Sequence, residues 1–245
     1  MHPLLKHVDH RTAPMPRAPW VMVQHWHDLL FAHWALPPEL MRPLVPKELT
    51  LDLYDGQAYV AVTPFWMSGV RPRFMPAVAG VSTFLELNVR TYVRYDNIPG
   101  VYFFSLDAGS RLAVQGARWG YSLPYFFAEM SIKGLGPKFV YSSSRKEGPR
   151  PAEFRGRYWP TSGPREREKS GREHFLTERY CLYTVRGGKV YRAYIHHLPW
   201  PLQDAEAEIE VNTVAQSDGI ALPDTKPLLH FSRSIEVLIW LPERA

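Results

Sequence analysis

Cysteine is almost absent from this sequence of 245 residues, which holds a single copy, Cys181. One cysteine excludes a disulfide framework within the chain and a zinc site built from several cysteines. Cys181 lies in the alternating run ERYCLYTV, a context that favours a buried structural thiol. A nucleophilic role for this thiol would require a nearby base that the sequence does not place.

Long apolar runs and familiar nucleotide-binding or protease motifs are absent as well. No stretch approaches the roughly 20 apolar residues of a membrane-spanning helix, and the N-terminal segment lacks the apolar core of a signal peptide. We therefore predict a cytoplasmic protein without a membrane partner. There is no P-loop, no dinucleotide-binding glycine fingerprint, no nucleophile elbow and no HExxH motif, so the sequence predicts no cofactor.

The chain does contain enough apolar material for a sizeable core, with 45% hydrophobic and 13% aromatic residues. Alternating runs recur along it with few short helical patterns and no βαβ rhythm, which predicts a mainly β antiparallel barrel or sandwich. Residues 1–245 are interpreted as one domain. Residues 1–19 carry four prolines and are predicted to form an irregular N-terminal arm.

Proline, glycine and cap residues predict where several elements begin and end. Pro37-Pro38-Glu39 predicts the start of a short helix. RLAVQGARW has helical spacing and predicts a helix that ends at Gly120. Hairpin turns are predicted at Asp55-Gly56 and at Gly187-Gly188.

Positive charge is concentrated in residues 145–172, which hold nine basic and four acidic residues. That surplus of five equals the net charge of the whole chain, +5. Because the segment is also rich in Pro, Gly and Ser, residues 142–175 are predicted to form a basic loop excursion. Mixed signs and scattered spacing favour a solvated loop over a nucleic-acid surface, which stays open as the weaker alternative.

The run TFLELNVRTYVRY, residues 83–95, is the clearest predicted strand. Glu86, Asn88, Arg90 and Tyr92 recur at every second position and therefore share one face. Such a face could converge on a ligand, with Arg90 binding a carboxylate and Glu86 transferring a proton. The same period fits the wet face of an antiparallel strand, which is the interpretation that periodicity alone favours.

Histidines are the candidate metal ligands. His25 and His27 share a face if QHWHDLLF is a strand, His33 follows, and the pair His196-His197 could add a ligand. Adjacent histidines point to opposite faces of a strand, and no carboxylate cluster at a recognised spacing accompanies them. The sequence therefore predicts no metal site.

Several segments resemble the acetoacetate decarboxylase-like superfamily. LPPELMRPLVPKELTLD is similar to its early helix and V-P-x-x-L element, and ARWGYSLPYFF is similar to its Gly-Arg-Glu and Pro-Lys-Lys region. FLELNVRTYV, PGVYFFSLDA, FLTERYCLY and IHHLPWPLQDA look closer still to the YqjF-like branch. The resemblance covers residues 20–242. It implies a cone-shaped, mainly antiparallel β-barrel around a ligand cavity, and it is compatible with a homo-oligomer.

The resemblance also bears on the chemistry. In the decarboxylases, the first lysine after the proline forms a Schiff base with a β-keto acid. Tyr125 and Phe126 hold the two positions that match the family's lysines, and neither can form an imine. Lys133 is on the Tyr125 face of the same predicted strand but about 26 Å further along, so we expect a solvated lysine there. The resemblance thus implies a cavity wall without its Schiff-base nucleophile.

The resemblance implies that two other family features carry over to this chain and that a third position is replaced. Glu86 falls where a cavity glutamate is expected, Arg118 matches the arginine of the Gly-Arg-Glu element, and His27 stands where an arginine meets the substrate carboxylate. The predicted site then has two catalytic residues, Glu86 and Tyr125. Its predicted ligand-binding residues are Arg118, Asn88, Arg90, Tyr92 and His27.

These observations predict a protein that binds a small anionic or carbonyl-containing molecule. As an enzyme it would be a lyase, isomerase or hydrolase without a Schiff base, with Glu86 as acid or base and Tyr125 as hydrogen-bond donor to an oxyanion. The alternative is a non-catalytic binding or sensing module that keeps the barrel and has lost the chemistry.

Overall fold

The fold is given by a computed structural model that describes residues 2–165 and 169–245. As predicted, it is mainly β. The strands of the described residues are β1 Met22–Leu36, β2 Thr50–Leu51, β3 Ala58–Pro72, β4 Phe84–Tyr95, β5 Ile98–Ala108, β6 Tyr125–Leu135, β7 Lys138–Arg145, β8 Glu153–Pro160, β9 Cys181–Arg186, β10 Lys189–His196, β11 Leu202–Asn212, β12 Leu228–Ile239 and β13 Glu243–Arg244. The α-helices among them are α1 Pro38–Met41, α2 Arg111–Tyr121, α3 Arg172–Thr177 and α4 Val214–Ser217.

The strands form one sheet in the order β13-β10-β9-β5-β6-β7-β8-β11-β12-β1-β3-β4-β2. Two further pairings, β10 with β12 and β5 with β4, connect strands that lie far apart in this order, so the sheet curls back on itself. Most pairings are antiparallel, as expected, but β5 pairs in parallel with both β6 and β9, which the sequence did not predict. The parallel β5–β6 pair is possible because α2 connects the two strands and carries the chain back.

The long strand β1 contributes to two apolar clusters at once. Leu30 packs in the main core, whereas its neighbours Leu29 and Phe31 pack in a second cluster with Phe65 and Trp200. Leu29, Leu30 and Phe31 are each at most 3% exposed. Both faces of β1 are therefore buried, which requires that the sheet encloses one of them.

Predicted turns and helix ends have mixed outcomes. The Gly187-Gly188 hairpin between β9 and β10 is confirmed, with φ of +54° and +71° at the two glycines. A turn also forms at Asp55-Gly56, but β2 before it pairs with β4 rather than with β3. The short helix predicted after Pro37 is confirmed as α1. The predicted end of α2 at Gly120 is wrong, because the helix continues through Tyr121. Ser122 takes the left-handed conformation at its C-cap.

The prediction of a loop excursion over residues 142–175 is corrected by the structure. The segment contains the end of β7, all of β8 and most of α3, while residues 166–168 lie outside the described part. In β8 the side chains of Phe154 and Tyr158 are buried, whereas the arginines between them point outward. This alternation builds a strand that pairs with β7 and β11.

Acidic residues of β11 neutralise the arginines of β8. Arg157 Nε lies 2.5 Å from Glu208 Oε2, and Arg155 Nε lies 3.2 Å from Glu210 Oε2. The positive surplus read along residues 145–172 is thus partly balanced by a strand distant in sequence. This pairing argues against a continuous basic surface for nucleic acid.

The N-terminal residues pack on the sheet. A 3₁₀-helix covers Pro3–Lys6, and residues 7–21 form neither helix nor strand. Leu4 is buried, and Arg11 Nη1 donates to the carbonyl of Ile195 at 2.8 Å. Within the described ranges, no helix is long and apolar enough to cross a membrane.

Candidate active site

A cavity of about 290 Å³ lies inside the curved sheet. Side chains of β1, β3, β4 and β5 form its walls together with one face of α2. Most of the lining is apolar, including Trp26, Phe65, Met67, Phe84, Phe103 and Trp200. Polar groups reach the cavity from Gln24, Thr63, Glu86, Asn88, Arg90 and Tyr125.

Glu86 and Tyr125, the two predicted catalytic residues, contact each other in this cavity. Tyr125 Oη donates to Glu86 Oε2 at 2.7 Å. Glu86 pairs with Ala108 of β5, and Tyr125 pairs with Leu106 of the same strand, so the bond reaches across β5. Because alanine is small, the middle strand leaves room for this contact. Sheet register therefore brings together two residues that are 39 positions apart.

Burial controls the protonation of this pair. It raises the pKa of Glu86 from 4.5 to about 7, although hydrogen bonds from Tyr125 and Asn88 and the charge of Arg90 act to lower it. The negative charge of Asp107, on β5, raises the pKa of Glu86 further. Burial and the neighbouring Glu86 raise the pKa of Tyr125 well above 10. Near neutral pH, Tyr125 is thus a hydrogen-bond donor and Glu86 can both take up and release a proton.

The raised pKa of Glu86 makes a prediction about stability. The folded state holds the Glu86 proton more tightly than the unfolded chain, so this stabilisation is complete below pH 4.5 and is lost as pH rises through about 7. This rise in the pKa of Glu86, from 4.5 to about 7, corresponds to about 3 kcal/mol of folding free energy. Relative to wild type, Glu86→Gln should gain about that much unfolding free energy between pH 4.5 and pH 8. Urea unfolding of both proteins at four pH values measures this difference. If the free energy of unfolding changed with pH by the same amount in both proteins, the prediction would be contradicted.

Asn88 and Thr63 hold the Glu86 carboxylate from the other side. Asn88 Nδ2 donates to Glu86 Oε1 at 3.3 Å, and Thr63 Oγ1 donates to the Asn88 side-chain oxygen. Thr63 and Asn88 are cross-strand partners on β3 and β4. Because the threonine occupies the amide oxygen, the amide nitrogen is directed at Glu86. Asn88 therefore positions the carboxylate, and Thr63 positions Asn88.

Arg90 completes the polar face of β4 inside the cavity. Its side chain is buried, and Nε has no hydrogen-bond partner among the residues that the structure describes. The guanidinium carbon lies 5.3 Å from the centre of the Phe31 ring. The interpretation of this face as the wet side of a strand is therefore wrong, since Glu86, Asn88 and Arg90 are each at most 9% exposed.

Tyr92 and His27 are not part of the cavity lining. Tyr92 is buried behind the lining, where its hydroxyl donates to the carbonyl of Leu176 at 2.8 Å and lies 2.7 Å from His33 Nε2. His27 stacks on Trp66 with ring centres 4.1 Å apart, and its Nε2 is 2.8 Å from Ser68 Oγ. Since Trp26 lines the cavity, the next residue on the strand points away from it. The expectation that His27 meets the ligand is corrected.

Arg118 stands beside the cavity rather than in it. Its Nε donates to the carbonyl of Tyr125 at 2.7 Å, and its Nη2 donates to Glu147 at 2.7 Å. Arg118 therefore ties the last turn of α2 to the start of β6. Its predicted contact with the ligand is replaced by a structural role that holds Tyr125 in place.

The two lysine-equivalent positions point in different directions. Tyr125 lines the cavity, whereas Phe126 packs against Arg145, whose guanidinium carbon is 4.4 Å from the ring centre. Lys133 is exposed near the far end of β6, as expected. Among residues 2–165 and 169–245, no lysine lines the cavity.

The histidines are dispersed over the molecule. His25 lies 3.3 Å from Glu236, while His196 lies 3.0 Å from the carbonyl of Leu4. His197 lines the far wall of the cavity, with Nδ1 bonded to the carbonyl of Leu198. In the part of the chain described, no three His, Cys, Asp or Glu side chains are grouped as metal ligands.

Sequence reasoning missed Tyr121, His197 and Trp200 as cavity residues. Tyr121 lies on the face of α2 that also presents Ala113 and Ala117 to the cavity, and this spacing of four was a usable signal. His197 and Trp200 follow β10 in an irregular segment, where no periodicity could indicate their direction. Cys181 also lines the cavity, and burial raises the pKa of its thiol to about 12, so it is a neutral wall group.

The sequence of this chain matches a known protein family. Residues 23–236 match the model of the DUF2071 family, which is described as an uncharacterized conserved protein, and the chain belongs to that family. Uncharacterized protein YqjF of Bacillus subtilis (strain 168) is 48% identical over 226 residues, which cover 92% of this chain and 93% of the relative. The predicted membership of the YqjF-like branch is confirmed.

Solved structures place the fold among the acetoacetate decarboxylase-like proteins. Acetoacetate decarboxylase from Legionella pneumophila aligns with a TM-score of 0.63 at 13% identity, over 95% of this chain and 92% of its own. The acetoacetate decarboxylase-like enzyme from Sphingomonas wittichii RW1 aligns with 0.60 at 14%, over 93% and 94%. The enduracididine biosynthesis enzyme MppR complexed with pyruvate aligns with 0.61 at 10%, over 94% and 91%. At these identities the likeness shows the fold alone.

Proposed function

We propose that this chain, as a single cone-shaped β-barrel domain, binds a small carbonyl-containing molecule in its cavity and transfers a proton on it. The observation that carries the proposal is the Glu86–Tyr125 hydrogen bond within an apolar enclosure. The pKa of Glu86, about 7, suits a group that must take up and release protons near neutral pH. Paired groups with displaced pKa values are typical of catalytic sites.

The proton transfer uses only groups of this cavity. The Glu86 carboxylate takes a proton from the carbon next to the ligand carbonyl, and the electron pair of that C–H bond moves into the carbonyl. Tyr125 turns its hydroxyl from Glu86 to the oxygen that becomes negative. Glu86 then returns the proton to the same or a neighbouring carbon. Asn88 keeps the carboxylate in place throughout, because the proton transfer does not involve the hydrogen bond by which Thr63 orients the Asn88 amide.

A Schiff-base route is not part of the proposal. Imine formation needs an amine, and within the described ranges no lysine reaches the cavity. The positions that match the family's lysines are Tyr125 and Phe126, and Phe126 faces away from the cavity. The same observation favours the second candidate function, a binding module that keeps the enclosure without turnover.

Proton exchange at carbon separates the two functions. We expect the protein to accelerate hydrogen–deuterium exchange next to the carbonyl of acetoacetate, 4-oxopentanoate or a γ-lactone, followed by proton NMR in D2O. Borohydride added in parallel should leave the protein mass unchanged. Thermal stabilisation by these compounds without exchange would favour the binding module. A borohydride-trapped adduct on a lysine would overturn the lysine-free mechanism.

A further inference from the structure

The proposed proton transfer leaves one buried cation of the cavity without a task. Arg90 is 9% exposed and lines the cavity, and its Nε has no hydrogen-bond partner in the described ranges. Among residues 2–165 and 169–245, no carboxylate forms an ion pair with it. Burying a charge without a partner is costly, so a buried guanidinium that faces a cavity indicates an anionic ligand.

The two other buried arginines among the described residues, Arg145 and Arg179, each have a carboxylate partner. Arg145 Nε lies 2.7 Å from Asp107, and Arg179 Nη1 lies 2.5 Å from Asp52. Arg179 also lines the cavity, where it pairs with Asp52, a carboxylate that it shares with Arg94. Arg90 is thus the lining arginine that has no carboxylate partner among the described residues, which matches a ligand with a negative charge.

Arg90 lies further along β4 than the proton-transfer pair, although its charge still acts on the Glu86 carboxyl. Glu86 and Arg90 are four positions apart on β4, which is about 13 Å between their Cα atoms along an extended strand. The Arg90 side chain also interacts with the hydroxyl of Tyr92, two positions further along β4. Asn88 occupies the position between them and bonds to Glu86. A ligand that touches both ends thus has its carboxylate and its reacting carbonyl several bonds apart.

Aromatic and sulfur-containing side chains line the cavity on the side of Glu86 away from Arg90, where Phe65 pairs with Glu86 and Met67 pairs with Phe84. Trp26, Phe65, Met67 and Trp200 line it, and none of them offers a charge. The volume of about 290 Å³ is near the lower end of the roughly 300–1,000 Å³ typical of small-molecule sites. Such walls favour an apolar ring or branched chain over a hydrated polar body.

A second hydroxyl marks the reacting end. Tyr121 of α2 lines the cavity, and its buried Oη has no hydrogen-bond partner within the described part of the chain. It is close enough to Tyr125 to raise the pKa of that phenol. Tyr121 and Tyr125 can therefore both donate to one oxygen atom of a ligand, as two donors do in an oxyanion hole.

We propose that the ligand is an apolar oxo acid with one carboxylate bound by Arg90 and a remote carbonyl oxygen received by Tyr121 and Tyr125. This inference rests on the proposed proton transfer and adds the ligand class to it. The aromatic walls hold the body of the molecule, and Glu86 faces the carbon next to the carbonyl. Short keto acids, which lack the apolar body, fill the cavity poorly.

Calorimetric titration with three probes tests the ligand class. 4-Oxo-4-phenylbutanoate carries the carboxylate, the spacer, the carbonyl and the ring. Its amide lacks the charge, and 4-oxopentanoate lacks the ring. We expect the phenyl acid to bind at least about 10-fold more tightly than either, because a buried ring and a paired charge each contribute that much.

Variants of Arg90 identify the anchor. Arg90→Met should weaken binding of the phenyl acid by about 30-fold or more and leave the affinity for the amide unchanged. Arg90→Lys keeps the charge but loses the bidentate fork, so about 10-fold weakening is expected, and this variant carries the test if the methionine variant does not fold. Arg157→Met removes an exposed arginine of β8 and should not change the affinity.

The outcomes separate the ligand class from the proposed function. Equal binding of acid and amide, or unchanged acid binding in both Arg90 variants, overturns the ligand class while carbon–hydrogen exchange on other carbonyl compounds still supports proton transfer. Tight, Arg90-dependent binding of the phenyl acid supports the ligand class. If that bound acid shows no exchange, the proton transfer fails and the ligand class stands.

Discussion

Glu86→Gln is expected to lower the rate of carbon–hydrogen exchange, and of any turnover it belongs to, by about 10²- to 10⁴-fold, the contribution of a well-placed general acid or base. The amide has the size of the carboxylate and its oxygen can accept the hydrogen bond of Tyr125, so the cavity keeps its shape. Ligand affinity measured by calorimetry should change little. Loss of rate with retained affinity identifies Glu86 as a group that acts in the transition state.

The pH dependence gives this prediction its sharpest control. If the Glu86 carboxylate is the base, the exchange rate rises with pH and reaches half its maximum near the pKa of about 7. Tyr125→Phe removes a hydrogen bond that lowers the pKa of Glu86, so the half-maximum should move to higher pH as the rate falls. A tyrosine variant with a lower rate and an unmoved profile would contradict the shared hydrogen bond. Undiminished exchange in Glu86→Gln would remove Glu86 from the mechanism.

The membership of the candidate site could be predicted from the sequence only in part: Glu86, Asn88, Arg90 and Tyr125 line the cavity, whereas Tyr92, His27 and Arg118 do not. A period of two brings Glu86, Asn88 and Arg90 to one face whatever that face meets. Such a face can lie against bulk water or against a cavity that has polar groups in its wall. Periodicity alone favoured bulk water, which is wrong. The deciding contact is Tyr125 on Glu86. Only the family resemblance pointed to that tyrosine, because the pair depends on strand register across β5.

The error over residues 142–175 has a different physical cause. Glycine and proline near the charged residues indicated a loop, yet EFRGRYWP alternates buried and exposed positions over its first six residues. Gly156 is needed within this strand, since an added Cβ there would come within 2.9 Å of the carbonyl oxygen of Glu208. The glycine thus marks close strand packing rather than a turn. The acids that neutralise the arginines are on β11, too far along the chain for a local count to find.

Arg145→Met is expected to lower the free energy of unfolding at pH 8 by about 3–5 kcal/mol, the cost of leaving a buried charge without its partner. Arg145 is 2% and Asp107 0% exposed at the side chain, and their Nε–Oδ1 distance is 2.7 Å. Asp218 lies 3.8 Å from the same guanidinium. Methionine keeps most of the apolar contact with Phe126, so the loss of charge dominates the effect.

The sign of the pH dependence distinguishes a lost charge from lost packing. Burial already raises the pKa of Asp107 to about 6, although Arg145 acts to lower it. Without the arginine this pKa rises further, and folding must either bind a proton at Asp107 or bury its charge. The free-energy cost of taking up that proton falls by about 1.4 kcal/mol for each unit by which pH decreases toward the pKa of Asp107 in the unfolded chain. The destabilisation should therefore be largest at pH 8 and shrink toward pH 5.

Arg155→Met is the matched control, because Arg155 pairs with Glu153 and Glu210 on the outer face of β8 at 51% exposure. Exposed pairs contribute about 0–1 kcal/mol, so this variant should stay near wild type at both pH values. Urea denaturation of the two variants measures the difference. An Arg145→Met loss that is the same at pH 5 and pH 8 would mean that packing, not the Asp107 charge, makes this arginine necessary. The charge is the expected cause because Asp107 is fully buried beside it, whereas the acids beside Arg155 can return to water.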